Sequence, residues 1–251
     1  MKYLLPVLLA TSALAAPTAA PAPADEGVSF PITDLIDSDL TFDEYAAQLE
    51  AEQSASSASL AKRQYNGDTF NQLTDGTACR PISVIYARGT NGAGNVGEAG
   101  SEGPTFFNAL ASRLGGASRL AIQGVNYSAS VLGFLAGGDS AGGTTMTNLI
   151  AQTVTRCPNT KIVVSGYSQG AQLVHTATQR LTAAQAARVN AVVTFGDADR
   201  DRTFGLVATD RTLIICHDGD NICENGIIIT AAHRDYEKDA PAAAAFVAAR
   251  V

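Results

Sequence analysis

Five short apolar segments that alternate with segments of helical spacing constrain this fold more than any other feature. The apolar segments are rich in Val and Ile and alternate little with polar residues, which is typical of strands buried on both faces. They cover residues 81–89, 119–127, 161–166, 189–197 and 211–218. Helical spacing occurs at residues 103–115, 142–157, 169–181 and 240–251. Strands that alternate with helices predict an α/β fold with a parallel sheet between two helical layers.

The first 63 residues differ from the rest of the chain in composition. Residues 1–16 contain one lysine, a short apolar run and small residues, as in a secretory signal peptide, although a buried helix is an alternative. Residues 17–63 are rich in Ala, Pro, Ser, Asp and Glu, bury too little apolar surface to fold alone, and end in Lys62-Arg63. We therefore expect a signal peptide at 1–16, a propeptide at 17–63, and a secreted, extracellular mature domain at 64–251.

The predicted mature domain is nearly neutral, with 15 acidic and 14 basic side chains. Proteins that bind nucleic acid or anionic lipid through electrostatics carry a clear basic excess. No apolar segment is long enough to cross a bilayer. The sequence therefore predicts no nucleic-acid partner, no membrane span, a substrate without strong charge, and a monomer as the default oligomeric state.

All four cysteines lie in the predicted mature domain, and an even number in a secreted chain favours two disulfides. Three pairings are possible. Cys216 and Cys223 enclose a short loop and form the natural local pair, which leaves Cys79 and Cys157 for each other. Zinc binding is the alternative, but the spacing does not match zinc fingers or ribbons.

The segment Gly166-Tyr167-Ser168-Gln169-Gly170 stands between a predicted strand and a predicted helix. A G-x-S-x-G sequence in that position is typical of a nucleophile elbow, in which a sharp turn exposes the serine and the glycines avoid clashes. The following helix would direct its N-terminal N–H groups at a developing oxyanion. An ordinary glycine-rich turn is the alternative interpretation. Ser168 is therefore a candidate nucleophile.

A serine nucleophile needs a base, and the chain contains three histidines. His175 follows Ser168 by two helical turns, about 10 Å along the same helix, and is out of reach. His217 lies among candidate acids. His233 lies in the last loop before the final helix, which matches the order serine, acid, histidine found in α/β-hydrolases. We predict that His233 is the base.

The acid that orients the histidine lies between Ser168 and His233 in that chain order. Four residues compete for this role, and their spacing does not separate them: Asp210, Asp218, Asp220 and Glu224. The glycine-rich segment after the first strand, residues 88–97, is expected to supply a second oxyanion donor beside the Gln169 N–H.

Several motifs together resemble the cutinases, which are secreted serine esterases. They are ARGTNGAGNVG at 87–97, GYSQGA at 166–171, VVTFGD at 192–197 and CHDGDNIC at 216–223, in this order and with the four cysteines. The similarity covers nearly all of residues 75–245. It implies a small α/β-hydrolase with a five-stranded parallel sheet, helices on both faces and no substantial lid.

The resemblance also implies roles for individual residues. Asp220 would be the catalytic acid, and Thr90 and Gln169 would form the oxyanion hole. The disulfides would be Cys79–Cys157 and Cys216–Cys223. The implied reaction is hydrolysis of a polyester (cutin) or of small short- to medium-chain esters through an acyl-enzyme, with no metal or organic cofactor. The expected substrate contacts, for which ordinary core packing is the alternative, are Tyr167, Val131, Leu132, Phe134 and Ile229.

Two other functions fit the same fold. An acetylxylan esterase would share the triad, but the apolar stretch 131–135, which is expected to lie in a loop at the rim of the site, and the form of the 216–223 loop favour a cutinase. A non-catalytic secreted protein on a hydrolase scaffold is the other alternative. The presence of Ser168, Asp220, His233 and Thr90 argues against it. Arg234 departs from the family pattern, which often has an apolar residue directly after the histidine.

Overall fold

Five parallel strands form one sheet in the order β2-β1-β3-β4-β5. The computed structural model describes residues 64–251, so the predicted signal peptide and propeptide lie outside the described residues. Each strand overlaps a predicted apolar segment and differs from it by a few residues at its ends. The strands are β1 Ile82–Ala87, β2 Leu120–Gly124, β3 Lys161–Tyr167, β4 Val189–Phe195 and β5 Thr212–Ile215.

Six α-helices connect or follow the strands within residues 64–251. They are α1 Glu102–Arg113, α2 Val131–Leu135, α3 Ser140–Arg156, α4 Gln169–Gln179, α5 Ala183–Arg188 and α6 Ala240–Ala248. Four of them match predicted helical segments. The short helices α2 and α5 were not predicted, because five or six residues are too few for helical periodicity to show. Their starts are stabilised locally: the Ser130 hydroxyl caps α2, and Thr182 and Gln185 form a capping box at α5.

The sheet is covered on both faces, which explains why its strands show little alternation. On one face, Val84 and Tyr86 of β1 pack in a cluster that includes apolar residues of α1 and α6. On the other face, Ile85 and Ala87 pack in a cluster that includes residues of α3, α4 and α5. All six residues of β1 are buried. This arrangement confirms the predicted α/β-hydrolase fold.

The chain reverses its direction of travel across the sheet at β1. From β1 it first passes to β2 on one side and then returns to β3 on the other. The carboxyl ends of β1 and β3 are adjacent, with Ala87 paired to Gly166. Ligands bind outside the carboxyl ends of strands at such a switch point. The loop after β1 and the turn after β3 therefore meet at one place.

Two disulfides tie loops to this framework. Cys79–Cys157 joins the segment before β1 to the end of α3, and Cys216–Cys223 closes a short loop after β5. Among residues 64–251, no helix has the length and apolar character needed to cross a membrane.

Candidate active site

The turn between β3 and α4 holds Ser168 in a strained conformation. Ser168 has φ 55° and ψ −120°, a region that non-glycine residues rarely occupy. A Cβ on Gly166 would lie 2.4 Å from the Gly170 carbonyl oxygen, and one on Gly170 would lie 2.0 Å from the Ala87 oxygen. The Ser168 N–H donates to the Phe195 carbonyl at 2.9 Å. The glycines therefore permit a close turn, and neighbouring strands hold the serine in place.

His233 contacts the serine from a different part of the chain. It ends a short 3₁₀ helix, Ala231–His233, and its side chain is almost fully buried. Its Nε2 lies 2.9 Å from Ser168 Oγ, and its Nδ1 lies 2.9 Å from Asp220 Oδ2. The structure thus brings the three predicted residues into one hydrogen-bonded chain.

Asp220 is the acidic residue that this arrangement selects from the four candidates. It is fully buried in the loop closed by Cys216–Cys223, whereas Asp210, Asp218 and Glu224 are exposed. The Ile222 N–H donates to Asp220 Oδ1 at 2.9 Å. The disulfide loop therefore presents one carboxylate to the imidazole and leaves its neighbours in solvent.

Hydrogen bonds keep Asp220 in its ionised form. Burial would raise the pKa of this carboxyl, but hydrogen bonds from Tyr236 and His233 hold it below its usual value. An ionised Asp220 accepts from Nδ1–H, so Nε2 is left as an acceptor for the Ser168 hydroxyl. This tautomer is the one that general-base catalysis requires.

Tyr236 is a site residue that the sequence did not reveal. Its hydroxyl donates to Asp220 Oδ2 at 2.6 Å and accepts from the His217 N–H at 2.8 Å. The His217 ring stacks on the Tyr236 ring at 4.0 Å, and Asp239 Oδ2 lies 2.6 Å from His217 Nε2. His217 thus supports the acid through Tyr236. The one sequence signal is the position of Tyr236 three residues after His233.

His175 belongs to a separate buried pair. Its Nε2 lies 2.9 Å from Asp197 Oδ2, which also accepts a hydrogen bond from the Thr194 hydroxyl at 2.7 Å. The imidazole stacks on Phe204 with 4.1 Å between ring centres. This residue packs inside the α4 layer, in agreement with its exclusion as the base. Asp197 is fully buried as well.

Thr90 and Gln169 meet beside the serine. The buried Gln169 side chain donates from Nε2 to Thr90 Oγ1 at 2.8 Å and to the Ser130 carbonyl at 2.8 Å. Since Thr90 Oγ1 accepts this bond, its own proton is directed elsewhere, and Thr90 lines the same cavity as Ser168. Gln169 is also the first residue of α4, where a backbone N–H has no partner within the helix. Both groups can donate to an oxyanion at Ser168.

A cavity of about 840 Å³ opens over these residues. Its wall includes four of the five predicted substrate contacts, namely Tyr167, Val131, Phe134 and Ile229. Two apolar residues that were not predicted, Leu135 and Ile227, also line it.

Leu132, the fifth predicted contact, does not line the cavity and is 78% exposed. The reason is helical geometry. Residues 131, 134 and 135 share one face of α2, whereas residue 132 projects about 100° away from residue 131. The sequence predicted a loop at residues 131–135, and a loop prediction does not assign side chains to faces.

Charged residues occupy another part of the cavity wall. Arg234, the residue that departs from the family pattern, lines it together with Arg88 and three acidic side chains, Glu98, Glu102 and Glu237. Glu102 is buried, and burial raises its pKa to about 7, with the Glu237 and Glu98 carboxyls adding to the shift. The cavity wall therefore combines apolar side chains with charged side chains of both signs.

Comparisons with known proteins agree with this geometry. The family model described as Cutinase matches residues 78–251. Cutinase CUT2 of Pyricularia oryzae is 49% identical over 197 residues, which cover 76% of this chain and 90% of that protein. A cutinase of Botryotinia fuckeliana is 49% identical over 170 residues, which cover 68% of this chain and 83% of that protein.

Solved structures give the same result. A Trichoderma reesei cutinase in complex with a C11Y4 phosphonate inhibitor superposes with a TM-score of 0.68 at 40% identity, covering 87% of this chain and 91% of that one. An acetyl xylan esterase, at 21% identity and a TM-score of 0.53, covers 69% of this chain and 99% of that one and shares the fold. Because the family model matches well over half of the sequence and close relatives cover two thirds of it, the chain belongs to the cutinase family.

Proposed function

We propose that this protein is a secreted carboxylester hydrolase that degrades cutin and hydrolyses soluble short- to medium-chain esters. One observation carries the proposal: a continuous hydrogen-bond chain from Ser168 Oγ through His233 to Asp220. This chain ends at a cavity that is also lined by Thr90. Such an arrangement is the one used for acyl transfer by serine hydrolases.

In the first half of the reaction, Ser168 Oγ attacks the ester carbonyl carbon while His233 Nε2 takes the serine proton. The 2.9 Å separation of these atoms is within hydrogen-bond reach for that transfer. The tetrahedral intermediate then collapses, and the protonated imidazole gives its proton to the departing alcohol. An acyl-enzyme on Ser168 and a free alcohol result.

The negative charge of the tetrahedral oxygen needs donors that are already in place. The Thr90 hydroxyl and the Gln169 N–H fill this role, and the Gln169 side chain holds the threonine oxygen at 2.8 Å. Donors fixed in advance need no reorganisation when the charge develops. Loss of one such donor in a serine hydrolase costs about 10²- to 10³-fold in turnover.

In the second half, His233 Nε2 removes a proton from water, and the water oxygen attacks the acyl carbonyl. The imidazolium then returns its proton to Ser168 Oγ, and the carboxylic acid leaves. The buried Asp220 carboxylate stabilises the imidazolium in both halves and holds the ring in one orientation.

The apolar part of the cavity favours substrates with more carbon than an acetyl group. Val131 and Leu135 on α2, and Ile227 and Ile229 on the opposing segment, are each between 46% and 70% exposed. Exposed large apolar side chains grouped at a cavity mark a binding surface for apolar ligands. An acyl chain can cover these side chains, and a polyester surface can cover their outer parts.

The nucleophile is tested with Ser168→Ala, assayed on p-nitrophenyl butyrate. We expect kcat/KM to fall by about 10⁴-fold or more, because no oxygen remains to form the acyl-enzyme. Ser118→Ala, which removes an exposed serine, is the matched control and should behave as the wild type. Mass spectrometry should show one organophosphonate bound to the wild type and none to Ser168→Ala. Unimpaired hydrolysis by Ser168→Ala would refute the mechanism.

The substrate class is tested with acetyl, butyryl and octanoyl esters of p-nitrophenol and with cutin particles. The apolar rim predicts a higher kcat/KM for butyryl and octanoyl than for acetyl esters, and release of soluble acids from cutin. A strong preference for acetyl esters together with no release from cutin would instead indicate an acetyl esterase.

We further propose that maturation removes residues 1–16 and 17–63 and leaves a monomeric enzyme of residues 64–251. The dibasic pair Lys62-Arg63 immediately precedes the described domain. N-terminal sequencing of the secreted enzyme should begin near Gln64, and light scattering should give the monomer mass. A secreted chain that starts well before Gln64 contradicts the processing scheme.

A further inference from the structure

Two buried polar groups on the cavity wall have no role in the mechanism above. Tyr86 is 1% exposed and Glu102 is 8% exposed, and both line the cavity. Within residues 64–251, no hydrogen bond joins the Tyr86 hydroxyl or the Glu102 carboxyl to another residue, and neither group is among the side-chain atoms shut off from solvent, so both can be reached from the cavity. Buried polar groups are normally paired with protein or water, so these two are available to a ligand.

The two groups come from neighbouring positions in the fold. Tyr86 lies near the carboxyl end of β1, just before the loop that carries Thr90, and Glu102 is the first residue of α1. A Cβ on Gly103, the next residue of α1, would lie 3.0 Å from Tyr86 Cζ, the carbon that bears the hydroxyl. The phenol therefore ends against the start of α1, beside Glu102.

This part of the wall lies on the histidine side of the nucleophile. The Tyr167 ring stacks on His233 at 5.2 Å, and its hydroxyl donates to the His233 carbonyl at 2.6 Å. Burial raises the pKa of Tyr167, and the next contribution comes from the negative charge of Glu102. Glu102, Tyr167 and Ser168 line the same cavity. A group bound at Glu102 and Tyr86 would belong to a substrate engaged by the triad.

The chemistry of the pair is that of a donor beside an acceptor. Burial raises the pKa of Tyr86 well above its usual value, so the phenol keeps its proton and can donate it. Burial and the Glu237 and Glu98 carboxyls raise the pKa of Glu102 to about 7. Near neutral pH, part of the protein molecules therefore carry an ionised Glu102 that accepts hydrogen bonds. A donor bound to this carboxylate stabilises its ionised form.

We propose that Glu102 and the Tyr86 hydroxyl form a subsite that recognises a hydroxyl group carried by the ester substrate. The substrate hydroxyl donates to the Glu102 carboxylate and accepts from the Tyr86 hydroxyl. The subsite deepens the proposed esterase function and rests on it. The hydroxyl belongs either to the acyl chain or to the alcohol part of the ester, and the experiment below separates these two sources.

Other ligand groups fit this pair less well. An ammonium group only donates, and it would leave the Tyr86 proton without an acceptor. A carboxylate only accepts, and it would leave the Glu102 carboxylate without a donor. Within the described part of the chain, no three acidic, histidine or cysteine side chains are placed to hold a metal ion. A hydroxyl group both donates and accepts, as the pair requires.

The test measures the ratio of kcat/KM for a hydroxylated ester to kcat/KM for its unsubstituted counterpart. The acyl arm compares p-nitrophenyl 6-hydroxyhexanoate with p-nitrophenyl hexanoate, and the alcohol arm compares 4-hydroxybutyl butyrate with butyl butyrate. Both arms use the wild type, Glu102→Leu and Tyr86→Phe at pH 8. Glu98→Gln is the matched control, because it removes a charge from the exposed rim and leaves the pair intact. Phosphonate titration of Ser168 counts the correctly folded molecules.

In at least one arm we expect the wild type to favour the hydroxylated ester about tenfold, as a hydrogen bond to a charged group allows. Glu102→Leu should reduce that ratio to near one, Tyr86→Phe should reduce it severalfold, and Glu98→Gln should keep it within about twofold. The arm that shows the effect identifies the part of the ester that bears the hydroxyl.

Three results would overturn the subsite. One is a wild-type ratio near one in both arms, with normal hydrolysis of the unsubstituted esters, which leaves the esterase function standing. Another is an equal loss in Glu98→Gln, which would indicate a general charge effect. The third is no hydrolysis of any ester, which would remove the proposed function as well.

Discussion

Asp220 shows how strongly the charge of a buried carboxylate depends on its surroundings. Three groups donate to it: His233 Nδ1, the Ile222 N–H and the Tyr236 hydroxyl. These bonds offset the cost of burying an ionised group and keep its pKa below the usual value. The residue can therefore remain charged in a site with no exposed surface.

At Glu102 the cost of burial outweighs the hydrogen bonding, and this predicts that stability depends on pH. Burial raises its pKa from an ordinary 4.5 to about 7. Between these pH values the folded chain holds a proton that the unfolded chain has already released. The free energy of unfolding of the wild type therefore decreases as the pH rises from about 4.5 to about 7, and Glu102 causes no such decrease below about pH 4.5.

Glu102→Gln removes this titration while keeping the side-chain shape. We expect the free energy of unfolding of the variant, relative to the wild type, to rise by about 3 kcal/mol between pH 4.5 and pH 8. Urea denaturation at pH 4.5, 6 and 8 measures the change. A difference that stays constant across the three pH values would contradict the raised pKa.

At the residue level, the sequence predicted Ser168 and His233, because motif and chain order left few choices. It did not separate Asp220 from its three competitors without the family resemblance, since burial decides which carboxyl meets the imidazole. Tyr86, Glu102 and Tyr236 were not predicted. Their roles come from neighbours distant in sequence, and nothing in the local pattern around each residue records those neighbours.

At the level of elements, the turn between β3 and α4 is the most constrained part of the site. Ser168 occupies a backbone region whose cost is about 1 to 3 kcal/mol. The turn remains in place because the Ser168 N–H bonds to β4 and because Gly170 packs directly against β1. Three strands therefore hold one serine.

Gly170→Ala tests this close packing. The new Cβ would lie 2.0 Å from the Ala87 oxygen, a backbone atom, so β1 and the Thr90 loop that follows it must move. We expect a loss of about 2 kcal/mol or more in stability and a fall of at least about tenfold in kcat/KM. Thermal melts and p-nitrophenyl butyrate turnover measure both quantities.

Gly67→Ala is the control for this substitution. Gly67 is exposed, and the nearest atom to an added Cβ is 3.7 Å away on Phe70. Its stability should stay within about 0.5 kcal/mol of the wild type. Gly170→Ala with full activity and stability would mean that the turn is less tightly held than the distances indicate.

The short helix α2 illustrates the limit of reading elements from sequence. Residues 131–135 were predicted to be an apolar loop beside the cavity. Leu132 was therefore predicted to contact the substrate together with Val131 and Phe134. The capping bond that Ser130 accepts from the Gly133 N–H and the close approach of Gly133 to the Gln169 side chain fix the helix in place. That contact joins segments about 36 residues apart, and only the folded chain brings them together.

For the whole molecule, the two disulfides act on different lengths of chain. Cys79–Cys157 closes a loop with a sequence separation of 78, and Cys216–Cys223 closes one with a separation of 7. In the chain-entropy model a longer loop restricts the unfolded state more. The larger loop should therefore contribute more to stability, and the smaller loop should matter more for activity because it holds Asp220.

Paired alanine substitutions separate the two effects. Cys79→Ala with Cys157→Ala should lower the free energy of unfolding by about 4 kcal/mol, and Cys216→Ala with Cys223→Ala by about 2 kcal/mol. We expect the second pair to lose more activity per folded molecule, measured as kcat after phosphonate titration. A larger stability loss in the second pair would contradict this assignment.

The sequence by itself predicted the fold class, which the structure confirms, and it predicted the candidate nucleophile, the candidate base and the disulfide pairing. Strands buried on both faces leave a local record in runs of Val and Ile, and the G-x-S-x-G turn leaves one in its glycines. The family resemblance added the proposed acid and the proposed oxyanion residues and agreed with the disulfide pairing.

The tertiary structure alone decided which face of α2 lines the cavity, that Tyr236 supports Asp220, and that Glu102 and Tyr86 stand unpaired on one wall. The physical reason is that burial and hydrogen bonding depend on contacts between distant segments. Such contacts set the pKa of a carboxyl and the availability of a hydroxyl, and neither property is carried by a residue's own neighbours along the chain.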